Sequence, residues 1–154
     1  MIICNQAGIE LIESFEGCPL TAYQDTRGIW TIGRGHTGPE VVPGLIWTQV
    51  QADQQFLQDL HQRAEGPLNQ LLRVTLNPNQ FAALCSLAFN IGAGGFRASS
   101  ALHLCNLGEL DQVPAHILLW DRNHDGSINA GLVRRRQAEC ALWAKTEITA
   151  FMRD

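Results

Sequence analysis

Hydrophobic spacing along the chain predicts a mostly helical protein with one early interruption. Asn5 can cap a first helix in which apolar residues recur at helical spacing, namely Ile9, Ile12 and Phe15. We expect this helix to end at Glu16-Gly17, where a glycine favours a left-handed turn. In residues 21–38, β-branched and aromatic residues alternate with glycine-containing turns, which predicts a small sheet of two or three strands.

A capping box at Thr48 and Gln51 predicts the start of a long amphipathic helix. Its expected inner face consists of Val50, Phe56, Leu57, Leu60 and Ala64. The Gly66-Pro67 pair is expected to break or kink this helix, because proline has no amide proton and its ring crowds the preceding turn.

The second half of the chain reads as a series of helices. Asn77-Pro78 begins a segment that is apolar on almost every side, which predicts a central buried helix. Further helices are expected near residues 99–107, 111–120 and 131–143, with a short amphipathic tail near 147–152.

This order of elements indicates an α+β fold in one domain, residues 1–154, a length that one domain accommodates. We expect a small β lobe of about residues 18–47 and a larger helical lobe of about 1–17 and 70–154, linked by a helix of about 48–72. A cleft between two lobes is a common ligand site.

Composition narrows the function classes. The net charge is −4 and Lys145 is the single lysine, which argues against a nucleic-acid partner. The chain has no run of about 20 apolar residues that would span a membrane and no signal-peptide pattern, so we expect a cytoplasmic location. Five cysteines without a zinc-type spacing predict free thiols, and we expect neither a metal nor a cofactor.

Three polar residues around the predicted sheet form a candidate catalytic set. Glu16 is placed at a helix C-terminus, which disfavours its negative charge and suits a proton donor. Asp25 follows after eight residues and Thr31 after five more. If the segment folds back as a hairpin, two carboxyl groups and a hydroxyl converge, as glycosidic bond cleavage requires. Spacing alone leaves open a solvated helix end, an Asx turn and an ordinary strand residue.

The segment ESFEGCPLTAYQDTRGIWTIGRGHTG resembles the phage-type lysozymes or endolysins, the muramidases of glycoside hydrolase family 24. The similarity continues through QFAALCSLAFNIGAGGF and GLVRRRQAECALW, about residues 7 to 145. It implies a lysozyme-like fold, a β-hairpin lobe and a helical lobe flanking a cleft. It also implies Glu16 as the general acid, Asp25 as the second carboxylate and Thr31 as the residue that positions the nucleophilic water.

The resemblance also implies that an arginine of the late helix pairs with Glu16. Arg134, Arg135 and Arg136 are the candidates, and the alignment favours Arg135. An exposed basic cluster that contacts the anionic cell wall is a compatible alternative, because neighbours on a helix point in different directions.

Four further residues are expected to support or bind the substrate. Gly33 and Gly35 suit a tight turn and a close backbone approach to a sugar ring. Phe89 and Asn90 match a family segment that lines the cleft, where an aromatic face contacts saccharide and an amide binds acetamido groups. Plain core packing is the alternative for Phe89.

For His36 and for residues 121–128 we expect structural roles rather than catalytic or metal-binding ones. We expect His36 to form a structural hydrogen bond or surface ion pair rather than to act in catalysis. Residues 121–128 copy the first eight positions of a calcium loop, but Leu132 stands where the bidentate glutamate belongs. An Asx-rich turn bordering the cleft is therefore favoured over a calcium site.

The resemblance implies hydrolysis of the β-1,4 bond between N-acetylmuramic acid and N-acetylglucosamine in peptidoglycan, with host lysis at the end of the phage cycle. We expect a monomer whose partner is the glycan strand and which depends on a holin for release from the host cytoplasm to the periplasm and cell wall. A lytic transglycosylase, a non-catalytic cell-wall-binding module and a calcium-binding module are the alternatives.

Overall fold

The computed structural model describes residues 1–145, so the tail expected near 147–152 lies outside the described residues. The helices and strands follow one another in this order: α1 (Gln6–Phe15), β1 (Tyr23–Gln24), β2 (Trp30–Ile32), β3 (His36–Thr37), α2 (Gln49–Leu60), a π-helical turn (His61–Glu65), α3 (Gly66–Leu71), α4 (Pro78–Ile91), α5 (Ala93–Ala98), α6 (Ser100–Asn106), a 3-10 turn (Leu110–Gln112), α7 (Val113–Ile117) and α8 (Ala130–Ala144).

Helix α1 begins and ends where its sequence predicts. The Asn5 side chain accepts a hydrogen bond from the Gly8 amide, 3.0 Å away. The helix ends at Glu16, whose backbone is extended with φ −91°. The expected left-handed turn at Gly17 is wrong, because the chain already leaves the helix in an extended conformation one residue earlier.

The predicted sheet has three short antiparallel strands in the order β1-β2-β3. Thr31 of the central strand pairs with Tyr23 on one side and with Thr37 on the other. This register places Thr31 in the middle of the sheet, beside the turn that carries Asp25.

The long helix starts at the predicted capping box, in which Thr48 and Gln51 bond each other's backbone amides. Its inner face is only partly as expected. Phe56 and Leu60 are buried, whereas Val50 is 63% exposed and Leu57 is 54% exposed. Residues seven positions apart lie on one stripe of a helix, and this stripe faces away from the buried side.

The break expected at Gly66-Pro67 is absent. The Gly66 amide instead bonds the His61 carbonyl, which widens one turn of the helix before α3 continues the chain. Pro67 cannot donate a hydrogen bond to the preceding turn, and a π turn accommodates such a ring without ending the helix. Arg63 lies in this wide turn.

Helix α4 forms the centre of the hydrophobic core, with every residue from Phe81 to Phe89 buried. It packs against α1 and α8. The segment predicted near 111–120 is shorter than expected and consists of a 3-10 turn and α7, while α5 was not predicted. In residues 1–145, no helix is long and apolar enough to span a membrane.

Candidate active site

The carboxylate of Glu16 is held from the interior of the protein. Arg135 Nη1 on α8 lies 2.8 Å from Glu16 Oε1, and the Arg135 side chain is almost entirely buried. On the other side, a Cβ added to Gly35 would lie 3.5 Å from Glu16 Oε2. Gly35 has φ +74°, so glycine serves both its turn and the room beside the carboxylate.

Asp25 occupies the turn between β1 and β2. Its Oδ1 accepts hydrogen bonds from the amides of Arg27, at 2.8 Å, and Ile29, at 2.9 Å. The bond from Ile29 is the largest influence that lowers the pKa of Asp25, and Arg27 acts in the same direction. Asp25 is therefore an ionised carboxylate at neutral pH.

Thr31 is buried on β2, and its hydroxyl donates a hydrogen bond to the Ile29 carbonyl, 2.9 Å away. Because that proton is engaged, the Thr31 oxygen can offer only its lone pairs to a further partner. A water molecule beside Thr31 would therefore donate a hydrogen bond to the Thr31 oxygen and direct its own lone pair elsewhere.

A cleft of about 510 Å³ has Asp25, Thr31 and Gly35 in its wall, and Glu16 lies next to it, behind Gly35. Burial raises the pKa of Tyr23 in the same wall, and the negative charges of Glu16 and Asp25 add to this effect. Both carboxylates therefore lie near the Tyr23 side chain. A second cavity of about 870 Å³ adjoins it and shares the side chains of Arg27 and Arg63.

Residues 13–139 match the phage lysozyme family. The chain belongs to this family. It is 39% identical over 148 residues to the endolysin of Salmonella phage P22, which covers 93% of this chain and 99% of the relative. It is 41% identical over 141 residues to the endolysin of Bacillus phage PZA, covering 90% of this chain but 54% of the relative, so the chain spans about half the length of that protein.

The expected lysozyme-like fold is confirmed by a solved structure. The muramidase domain of SpmX from Asticaccaulis excentricus superposes with a TM-score of 0.86 at 35% identity, over 95% of this chain and 100% of that domain. The mostly helical α+β architecture with a small sheet is therefore that of a lysozyme.

Of the three candidate arginines, Arg135 is the one that contacts Glu16. Its guanidinium is fixed on α4, where Nη2 donates to the Ser86 carbonyl at 3.2 Å. Arg136 is fully buried and Arg134 is exposed. The alternative of an exposed basic cluster is therefore wrong for Arg135 and Arg136.

Two expected substrate contacts are wrong. Gly33 is buried, and a Cβ there would lie 3.1 Å from the Trp47 ring, so its close neighbour is Trp47 rather than a sugar. Phe89 is fully buried and therefore cannot contact saccharide. Its ring packs edge-on against Phe56, with centroids 5.6 Å apart, and supports a cation on its other side.

That cation is Arg63, a site residue the sequence did not reveal. The Arg63 guanidinium carbon lies 3.9 Å from the Phe89 ring centroid, and Nη2 donates to the Phe89 carbonyl at 2.6 Å. Arg63 lines both cavities. No sequence motif near Arg63 predicts this role, because the role depends on the π turn and on an aromatic ring that is distant in sequence.

Asn90 lines the second cavity, as a cleft residue should, but its side-chain oxygen accepts a hydrogen bond from Arg136 at 2.8 Å. The turn formed by residues 121–128 borders this cavity as well. There Asp125 Oδ1 accepts from the Ser127 amide at 2.9 Å, and Asn129 donates to Asn123 at 2.9 Å, so these groups are engaged with one another.

His36 has the ion-pairing geometry expected of it. Its Nδ1 lies 2.8 Å from Asp59 Oδ2 and its Nε2 lies 2.6 Å from Glu40 Oε1. Burial by itself lowers the pKa of His36, but the hydrogen bonds to Glu40 and Asp59 outweigh burial, and the net shift is upward.

Proposed function

We propose that this protein hydrolyses the β-1,4 bond between N-acetylmuramic acid and N-acetylglucosamine in peptidoglycan. The observation that carries the proposal is the presence of two unlike carboxyl groups beside one cleft: Glu16, backed by a buried arginine and next to Gly35 of the cleft wall, and Asp25, ionised on an open turn of that wall. Membership of the phage lysozyme family supports the same reaction.

In this mechanism, Glu16 protonates the departing glycosidic oxygen. Arg135 binds Oε1, which leaves Oε2, beside Gly35, as the oxygen that carries the transferable proton. Asp25 stabilises the oxocarbenium-like centre or accepts a proton from water. Thr31 accepts a hydrogen bond from that water and so orients its lone pair towards the anomeric carbon.

Mass spectrometry of purified peptidoglycan digested by the protein tests this function. We expect products with reducing muramic ends. Anhydromuramic ends would establish a lytic transglycosylase instead, and no released product would establish a non-catalytic wall-binding module.

Two variants make the test specific to the site. Glu16→Gln should release no products above background, whereas Glu10→Gln makes the same chemical change on the exposed face of α1 and should behave like the wild type. Product release by a folded Glu16→Gln variant would contradict the assigned general acid.

The route to the wall is a separate proposal that rests on resemblance to endolysins. We propose that the protein is a monomer that accumulates in the host cytoplasm, depends on a holin for release and then acts in the periplasm. A bacterium expressing it should stay intact until chloroform opens the inner membrane. Lysis without any permeabilising agent would contradict this route.

A further inference from the structure

A buried charge cluster lies behind the Arg135–Glu16 pair. Glu139, one turn further along α8, is fully buried, and its Oε1 lies 2.7 Å from Arg136 Nε. Its other oxygen, Oε2, lies 3.9 Å from Arg135 Nε. Arg135 is thus placed between two carboxylates, with Glu16 at one end of the guanidinium and Glu139 at the other.

The charge of Glu139 affects Glu16 through the two arginines between them. Arg135 and Arg136 are adjacent buried cations, and buried charges are stable only when paired. When Glu139 is ionised, it neutralises part of their charge and repels a negative charge on Glu16. When Glu139 is neutral, the positive field of Arg135 acts on Glu16 alone and favours its carboxylate form.

We propose that Glu139 is a positioning residue for the general acid: it acts through Arg135, and its charge determines how far the activity extends into alkaline pH. This inference rests on the proposed function, in which Glu16 is the proton donor.

The groups that face Glu139 are the two arginines and the Cys140 thiol on α8, Ser86 on α4, and, through Arg135, Glu16 at the end of α1. Burial raises the pKa of Glu139 to about 7, while both guanidinium groups act in the opposite direction. The charge on Glu139 therefore changes close to neutral pH.

Rates of peptidoglycan solubilisation between pH 5 and pH 9 test the inference. Glu139→Gln is permanently neutral, so its alkaline limb should move to lower pH, and the ratio of the rates at pH 8 and pH 6 should fall about threefold or more. Glu139→Asp keeps the charge and should recover the ratio, and Glu10→Gln should match the wild type. An unchanged ratio in a folded Glu139→Gln variant, or an equal loss at every pH, would overturn the proposal.

A measurement on the wild type decides the matter if Glu139→Gln does not fold. In protein labelled with ¹³C at the glutamate carboxyls, the Glu16 signal should show a second inflection at the pH where Glu139 titrates. A Glu16 signal without that inflection would defeat the coupling. An inactive wild type, or an active Glu16→Gln variant, would instead defeat the proposed function, so the two failures are distinguishable.

Discussion

The two carboxylates of the cleft are held by different physical means. Asp25 is fixed within its own turn, by amides two and four residues further along the chain. Glu16 is fixed by Arg135, which lies 119 residues away in sequence and is itself held by Ser86 and Glu139. Local backbone thus holds one carboxylate in place, whereas long-range packing holds the other.

The largest effect on activity is expected for Glu16→Gln, which removes the carboxylate that Arg135 holds. Glutamine keeps the shape and can still accept a hydrogen bond from Arg135, but it has no proton to transfer, so clearing of purified cell walls should fall by roughly 10² or more. The melting temperature should remain close to that of Glu10→Gln. A folded variant that clears walls at nearly the wild-type rate would remove Glu16 from the mechanism.

Asp25 tests the other side of the cleft. Asp25→Asn loses the charge and should lower kcat by about 10² with little effect on folding, since the side chain lies on an open turn. Asp25→Cys restores an ionisable group and should retain more activity than Asp25→Asn. The reverse order, measured on the same wall preparation, would show that Asp25 acts by hydrogen bonding rather than by charge.

Thr31→Val removes only the hydroxyl from a buried position. We expect kcat to fall by at least tenfold, because the water loses its acceptor, and stability to fall by about 1 kcal/mol, because the Ile29 carbonyl loses its donor. Turbidity assays and thermal unfolding separate the two effects. If both Thr31→Val and Asp25→Asn are as active as the wild type while Glu16→Gln is inactive, a single-glutamate transglycosylase replaces the hydrolase.

The difference between local and long-range interactions also explains how much of the fold could be predicted from the sequence. Helix caps at Asn5, Thr48 and Asn77 depend on residues three positions apart, and all three begin helices as expected. Of the break or kink expected at Gly66-Pro67, the break does not occur, because the preceding turn widens around the proline ring and the helix continues.

Site residues divide in a similar way. Spacing and resemblance predicted Glu16, Asp25 and Thr31; Asp25 and Thr31 line the cleft, and Glu16 lies behind Gly35 of its wall. Whether Phe89 faces sugar or core depends on how α4 packs, since every face of that helix is apolar. Arg63 carries no local signal, because Phe89 is distant in sequence, whereas Glu139 pairs with arginines three and four residues before it but reads from the sequence as an ordinary surface ion pair until α8 is seen to be buried there.

Arg63 provides a prediction on a residue that lines both cavities. Arg63→Ala should raise KM for soluble glycan fragments about tenfold with a smaller change in kcat, because it removes a cation that lines both cavities but does not take part in proton transfer. Arg73→Ala, an equal truncation at an exposed position outside those cavities, is the control. An unchanged KM for Arg63→Ala would restrict Arg63 to structural support of Phe89.

The smallest expected effect concerns His36, whose ion pairs join the sheet to α2 through Asp59. Because its pKa in the folded state is raised above the unfolded value near 6.5, its stabilising contribution is complete below that pH and is lost as the pH rises through the folded pKa. His36→Asn should therefore melt about 2–4 °C below the wild type at pH 5.5, with a gap that narrows by pH 9. Added salt should also narrow the gap at pH 5.5, since Glu40 is largely exposed. A gap that widens with pH would show that His36 stabilises the fold as a neutral ring, by packing on Trp47, rather than as a cation between two carboxylates.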